Sequence, residues 1–169
     1  NIEDRVKAMC FDTTASNTGA KKGACLTIET KLNRDLLAFA CRHHVNEIIV
    51  SVVFNKCFGA SSGPEIQIFK RFRDLWKNIN VSLYEAPNTV FTWKEDVLRF
   101  CQEQLKCHQP RADYKELLQL LLAYLGVDTE GFTFKKPGAV HRARWMAKVI
   151  YSIKIVLFKS QFKMTKKEQ

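Results

Sequence analysis

No run of about 18 uninterrupted apolar residues occurs anywhere in the 169 residues, and no signal-peptide pattern opens the chain. Membrane spanning and secretion are therefore not expected, which leaves a nuclear or cytoplasmic protein. Internal repeats and low-complexity tracts are also missing. Cysteine is present but not in a pairing pattern. The six residues Cys10, Cys25, Cys41, Cys57, Cys101 and Cys107 are scattered through a chain with ample apolar residues, so reduced thiols are expected rather than a disulfide framework. Acidic residues are scarce in one place. From 135 to 169 there is one acid, Glu168, against ten Lys or Arg, a net of +9 out of +10 for the whole chain. The first 134 residues then hold 17 bases and 16 acids. Basicity gathered in one element points to a phosphate-bearing or otherwise anionic partner more than uniform basicity would. The plainer alternative is a solvated tail that confers solubility.

What is present describes a folded domain: 46% apolar and 26% charged residues in a length suited to one core. "VKAMCFDT", Val6 to Thr13, reads as a buried strand. Ser16 or Asn17 then caps a helix running toward about Leu32, its first turns weakened by Gly19 and Gly23. "LLAFACRHH", Leu36 to His44, reads as another buried strand passing into a helix, on which Val45, Ile48, Ile49, Val52 and Val53 recur at helical spacing. Two strand-turn-helix units imply an α/β core with adjacent strands. Beyond Pro64 the pattern turns helical. An amphipathic stretch from Ile66 to Ile79 places Ile68, Phe69, Phe72, Leu75 and Trp76 on one side. Helices are expected over Trp93–Cys107, Asp113–Leu125 and His141 to about Phe162. Two strands do not make a self-sufficient sheet. With Asn1 in place of Met and no stop signal in "MTKKEQ", a piece of something longer is expected.

Three constellations carry chemistry. Asp12 ends a parallel-type strand, where α/β sheets place ligands, beside the hydroxyls of Thr13, Thr14 and Ser16. It suits a hard cation of the Mg²⁺ type, but on this motif alone an Asp that caps the following helix or closes the loop is the preferred reading. Cys41 and His44 stand three apart at a strand-helix junction. Zinc would require two more ligands, and no second close pair of the finger type exists, so zinc is not expected and a polar pair locking the junction is the preferred reading. A Cys-His nucleophile lacks a visible orienting group. In the basic segment, about 100° of rotation per residue would bring Arg144, Lys148, Lys159 and Lys163 onto one face. Trp145 falls at the border with the apolar arc, where it covers the core edge or stacks on a base.

In their order, "FDTTASN", "ACRHHVNEII" and "ARWMAKVIYSI" resemble the middle of an hAT-superfamily transposase. The resemblance implies an RNase H-like catalytic domain interrupted by a helical insertion. It makes Asp12 the second member of an Asp-Asp-Glu triad and a Mg²⁺ ligand. It places Cys41 and His44 close to the active site, Trp145 on a base near the cleavage point and Arg144 on phosphate. The fold expected is α/β: a partial RNase H-like core over 1–58, a helical insertion over 59–134, and a long basic helix with the Arg-Trp motif over 135–169. The parent activity implied is Mg²⁺-dependent DNA cleavage and strand transfer. The first Asp and the Glu of the triad have no counterpart here, so the segment is expected to bind DNA and to be catalytically incomplete. The competing class is a non-enzymatic interaction module that docks on an acidic protein through the same basic helix.

Overall fold

The computed structural model describes residues 2–59, 66–88, 90–127, 131–138 and 145–168, apart from the side chains of Phe58 and Trp145. The chain divides into two compact units, Asn1–Val53 and Phe54–Gln169. Pro64, Arg144 and the side chain of Trp145 lie outside the described residues.

In the first unit, strand β1 (Ala8–Phe11) pairs in parallel with β2 (Leu37–Ala40), in the register Ala8 opposite Leu37 through Phe11 opposite Ala40. The two expected strands are therefore neighbours. The connection between them is two helices rather than one, α1 (Ala15–Thr18) and α2 (Ala24–Leu32). The break falls at the two glycines. A Cβ on Gly19 would stand 2.4 Å from the Ala15 carbonyl oxygen, and one on Gly23 would stand 2.6 Å from the backbone of Gly19. Only residues without a side chain fit so close a crossing of backbone, and the turn they build interrupts the helix. Neither Ser16 nor Asn17 is the cap. Both lie within α1, and Asn17 is turned to another use described below. Asn33, at φ 50°, ends α2 in the left-handed conformation tolerated by asparagine. Arg34 then reaches back to the carbonyl of Val6 at 2.6 Å and to that of Glu3, tying the end of the connection to the entry of β1.

Buried strands are what the two apolar runs predict, yet this unit buries little, since two strands alone do not make a self-sufficient sheet. Met9 is its one buried apolar side chain among the described residues, and all four residues of β2 are exposed. Helix α3 (Arg42–Phe58) follows directly. Its repeat of Val45, Ile48, Ile49, Val52 and Val53 is helical as expected, yet every member is exposed, Val52 to 65%. The spacing places an apolar stripe on the helix.

The second unit has a dense core. Helix α4 (Gln67–Leu75), continued by a 3-10 turn at Trp76–Asn78, sets Ile68, Phe69, Phe72 and Trp76 inward. Helices α5 (Lys94–Lys106) and α6 (Ala112–Tyr124) pack together around Cys101, Leu118 and Leu122. Helix α7 (Trp145–Leu157) lies at the centre. Met146, Ile150, Ile153 and Leu157 form one buried stripe, while Tyr151, Lys154 and Ile155 bury a second side. A helix covered on most of its circumference is a core helix, not a surface one.

Aromatic rings knit these elements in edge-to-face pairs. Phe158 meets Trp76 at 5.5 Å and Phe134 at 5.0 Å, and Phe72 meets Phe162 at 5.2 Å. Phe158 and Phe162 follow α7, which stops at Leu157 instead of running to Phe162. The next residues close short turns, with Gln161 N–H donating to the Phe158 carbonyl at 2.9 Å. The turn swings both phenyl rings into the core, an orientation that a straight continuation would not supply. Gln161 is pinned in turn, accepting from Asn80 N–H at 2.8 Å and donating to the carbonyls of Asn80 and Leu83.

Candidate functional site

At the carboxyl end of the two-stranded sheet, Cys41 N–H donates to the Phe11 carbonyl at 2.8 Å and so prolongs the parallel ladder by one bond. That bond fixes the start of α3 beside the residue after Phe11, which is Asp12. Two motifs 29 residues apart in sequence, Asp12 and Cys41 with His44, thus share one edge of the sheet. The His44 N–H bonds the Cys41 carbonyl at 2.9 Å as the helix begins, and its imidazole lies close enough to act electrostatically on Asp12.

The Asp12 carboxylate is held by its own loop. Its Oδ1 accepts from the Thr14 hydroxyl at 2.5 Å, the Thr14 backbone N–H at 3.0 Å and the Asn17 side-chain amide at 2.7 Å. The Thr14 hydroxyl also meets that of Ser16 at 2.9 Å. A side chain that gathers donors two and five residues on closes an Asx-type turn. Hydrogen bonds to the ionised form favour it, so the Thr14 hydroxyl first, then the Thr14 N–H and the Asn17 amide, hold the Asp12 pKa below the usual 3.8.

Among the described residues, no three His, Cys, Asp or Glu side chains come together as a metal-holding group. One carboxylate with Oδ1 already accepting three hydrogen bonds does not fit a catalytic Mg²⁺ centre, which needs several carboxylates to hold ions in line with attacking and leaving oxygens. Beside the loop lies a cleft of about 180 Å³ lined by Met9, Phe11, Thr13, Thr18, Cys25, Ala38, Phe39 and Ala40.

Thr14→Ala removes the leading cause of the lowered pKa. The Asp12 value in this variant is expected to rise toward 3.8, read from an NMR titration of its carboxyl carbon. Because the folded pKa is depressed, the stability this loop contributes is present above the unfolded carboxyl's pKa and is lost as pH falls through the folded one. In the variant that acid-side loss begins at higher pH. An unchanged Asp12 titration would show that the Thr14 hydroxyl bond does not form in solution.

The expected basic face is placed differently. On α7 the two lysines are Lys148, half-buried, and Lys154, only 1% exposed. Lys154 donates from Nζ to Glu116 Oε1 at 2.6 Å and to the Lys135 carbonyl at 2.7 Å, with Trp76 beneath it at 5.5 Å. Burial lowers its pKa, opposed by the bond to Glu116. Lys159 and Lys163 are exposed, but they lie past the end of α7, so helical rotation does not align them with Lys148. Arg71 holds the segment around Lys163, donating to its carbonyl at 2.9 Å and pairing with Glu168 at 2.8 Å.

No protein-family model, curated protein or solved structure matches this chain. Among the described residues, no helix is long and apolar enough to cross a membrane.

The loop closure by Asp12 that the sequence offered beside a metal role is formed, and the Asp-x-Thr spacing encodes it as a local signal for an Asx turn. One feature escaped the sequence reading. The Glu116–Lys154 pair has no local signal, since its members stand 38 residues apart on different helices.

Proposed function

We propose that this chain is a transposase-derived DNA-binding segment of hAT type that contacts DNA phosphates through exposed lysines of its basic C-terminal part and does not itself carry out cleavage. The observation that supports this reading most is the meeting of Asp12 with Cys41 and His44 at the carboxyl edge of a parallel strand pair. The hAT resemblance implies that Cys41 and His44 sit close to Asp12, and this placement is in keeping with it. The Mg²⁺-dependent cleavage and strand transfer implied by the resemblance would need carboxylates that the described residues do not assemble around Asp12. Binding, rather than chemistry, is then the activity in reach.

Its contacts are Lys159 and Lys163, which are exposed, and the half-buried Lys148 of α7. Because α7 ends at Leu157, Lys159 and Lys163 do not extend a basic face of that helix, the face on which docking to an acidic protein would depend. Fluorescence anisotropy of a labelled duplex over a salt series tests the proposal. These three phosphate contacts contribute roughly −3 to the slope of log K against log[salt], and Lys159→Ala with Lys163→Ala should flatten it by roughly 2. Affinity indifferent to salt, or no retention of duplex at low salt, would remove the DNA reading.

A further inference from the structure

Residues 131–138 contain neither helix nor strand, yet side chains of α7 and buried anchors hold them at several points. Phe134 is buried, its ring against Tyr84 at 5.2 Å, Phe132 at 4.7 Å and Phe158 at 5.0 Å. Pro137 is buried as well. Two backbone carbonyls are then taken by side chains of α7: that of Lys135 by the Lys154 ammonium at 2.7 Å, and that of Gly138 by the Tyr151 hydroxyl. Tyr151 and Lys154 are three residues apart and so lie on one face of the helix. Between the anchors at Phe134 and Pro137, the side chains of Lys135 and Lys136 are exposed.

The placement of Lys154 is costly on its own. A buried ion pair is often no more stabilising than apolar residues of the same volume. What the ammonium adds here is direction, because it fixes one carbonyl of an otherwise irregular strap. Two adjacent cations presented from a backbone clamped on both sides are ordered before any partner arrives, which lowers the entropy lost on binding.

We propose that the strap is a preorganised phosphate-contact element, with Lys135 and Lys136 as its contacts and Tyr151 and Lys154 as the positioning residues that clamp it. This rests on the DNA reading above. Contact and positioning have different signatures. A lysine on a phosphate contributes about one unit to the salt slope. A buried residue such as Lys154 touches no DNA, so its loss lowers the binding-competent fraction and raises the apparent Kd equally at every salt concentration.

The test uses the full chain in three variants, with duplex anisotropy over a salt series. Lys135→Ala with Lys136→Ala is expected to flatten the slope by roughly 2. Tyr151→Phe keeps the ring that stacks on Phe69 at 4.7 Å and loses the donor to Gly138. Glu116→Leu with Lys154→Met removes both buried charges together. In these two the Kd should rise by up to about ten-fold, if the clamped fraction falls to about a tenth, with the slope unchanged. Native-state trypsin cleavage after Lys135, followed by mass spectrometry, should accelerate in the same two variants, since it tracks the released strap. Normal wild-type binding with an unaltered slope in the double alanine variant overturns the contact role while leaving the DNA reading intact. Unaltered cleavage, or faster cleavage with unaltered affinity, overturns the clamp. A wild-type chain that retains no duplex removes both the DNA reading and this one.

Discussion

Substituting alanine for Phe158 is expected to destabilise the second unit by about 3–5 kcal/mol, the usual cost of removing a fully buried phenyl ring. The ring is completely buried and sits where three elements converge, edge-to-face with Trp76 from the end of α4 and with Phe134 from the strap. Its backbone N–H closes the last bond of α7, to the Lys154 carbonyl at 3.0 Å, so the side chain is held by the turn that follows the helix. Set against the roughly 5–15 kcal/mol that a domain has in total, the loss should shift the urea midpoint substantially. A loss under about 1 kcal/mol by urea titration followed by circular dichroism would mean that the ring cluster is not the centre of the fold.

Breaking the Glu116–Lys154 pair from one side is expected to cost about 3–5 kcal/mol, because the remaining charge is left buried without its partner. The two halves should not be equivalent. Glu116 sits at the rim, with 11% of its side chain exposed, whereas the Lys154 side chain is 1% exposed. Lys154→Met therefore strands a carboxylate that can turn toward water. Glu116→Leu strands an ammonium that cannot, leaving it only the Lys135 carbonyl, and should be the more damaging change. Replacing both residues together, Glu116→Leu with Lys154→Met, should bring stability back to within about 1–2 kcal/mol of the original, since apolar residues of like volume satisfy such a site well. Urea titration of the two single variants and the double variant measures the coupling directly. If the two single losses simply add in the double variant, the pair is not formed as described.

Much of this protein is legible along its sequence. Both strands, their adjacency and the helices over residues 67–75, 94–106 and 112–124 follow from local pattern, because a strand or helix repeats its apolar positions within a few residues. The crowding of chemistry-bearing residues at Asp12 and at Cys41 with His44 is also visible there. Even the hold of Thr14 on Asp12 is short-range, spanning two residues.

Periodicity establishes that a helix has an apolar side. It does not establish what meets that side. Val45, Ile48, Ile49, Val52 and Val53 repeat as faithfully as the apolar positions of α4, yet the first set is exposed while Ile68, Phe69 and Phe72 are buried. A count of charges has the same limit. Ten bases between 135 and 169 suggest a basic face, but whether an ammonium reaches water or a carboxylate depends on residues far away in sequence. Lys154 turns inward because Glu116, on another helix, and the Lys135 carbonyl wait for it there. Likewise α7 ends at Leu157 and its successors turn, since Phe158 and Phe162 gain more by entering the ring cluster of α4 and the strap than by continuing the helix. Local propensity and spacing placed the elements and the motifs; long-range packing set which faces are covered, where the last helix stops and which lysines face solvent.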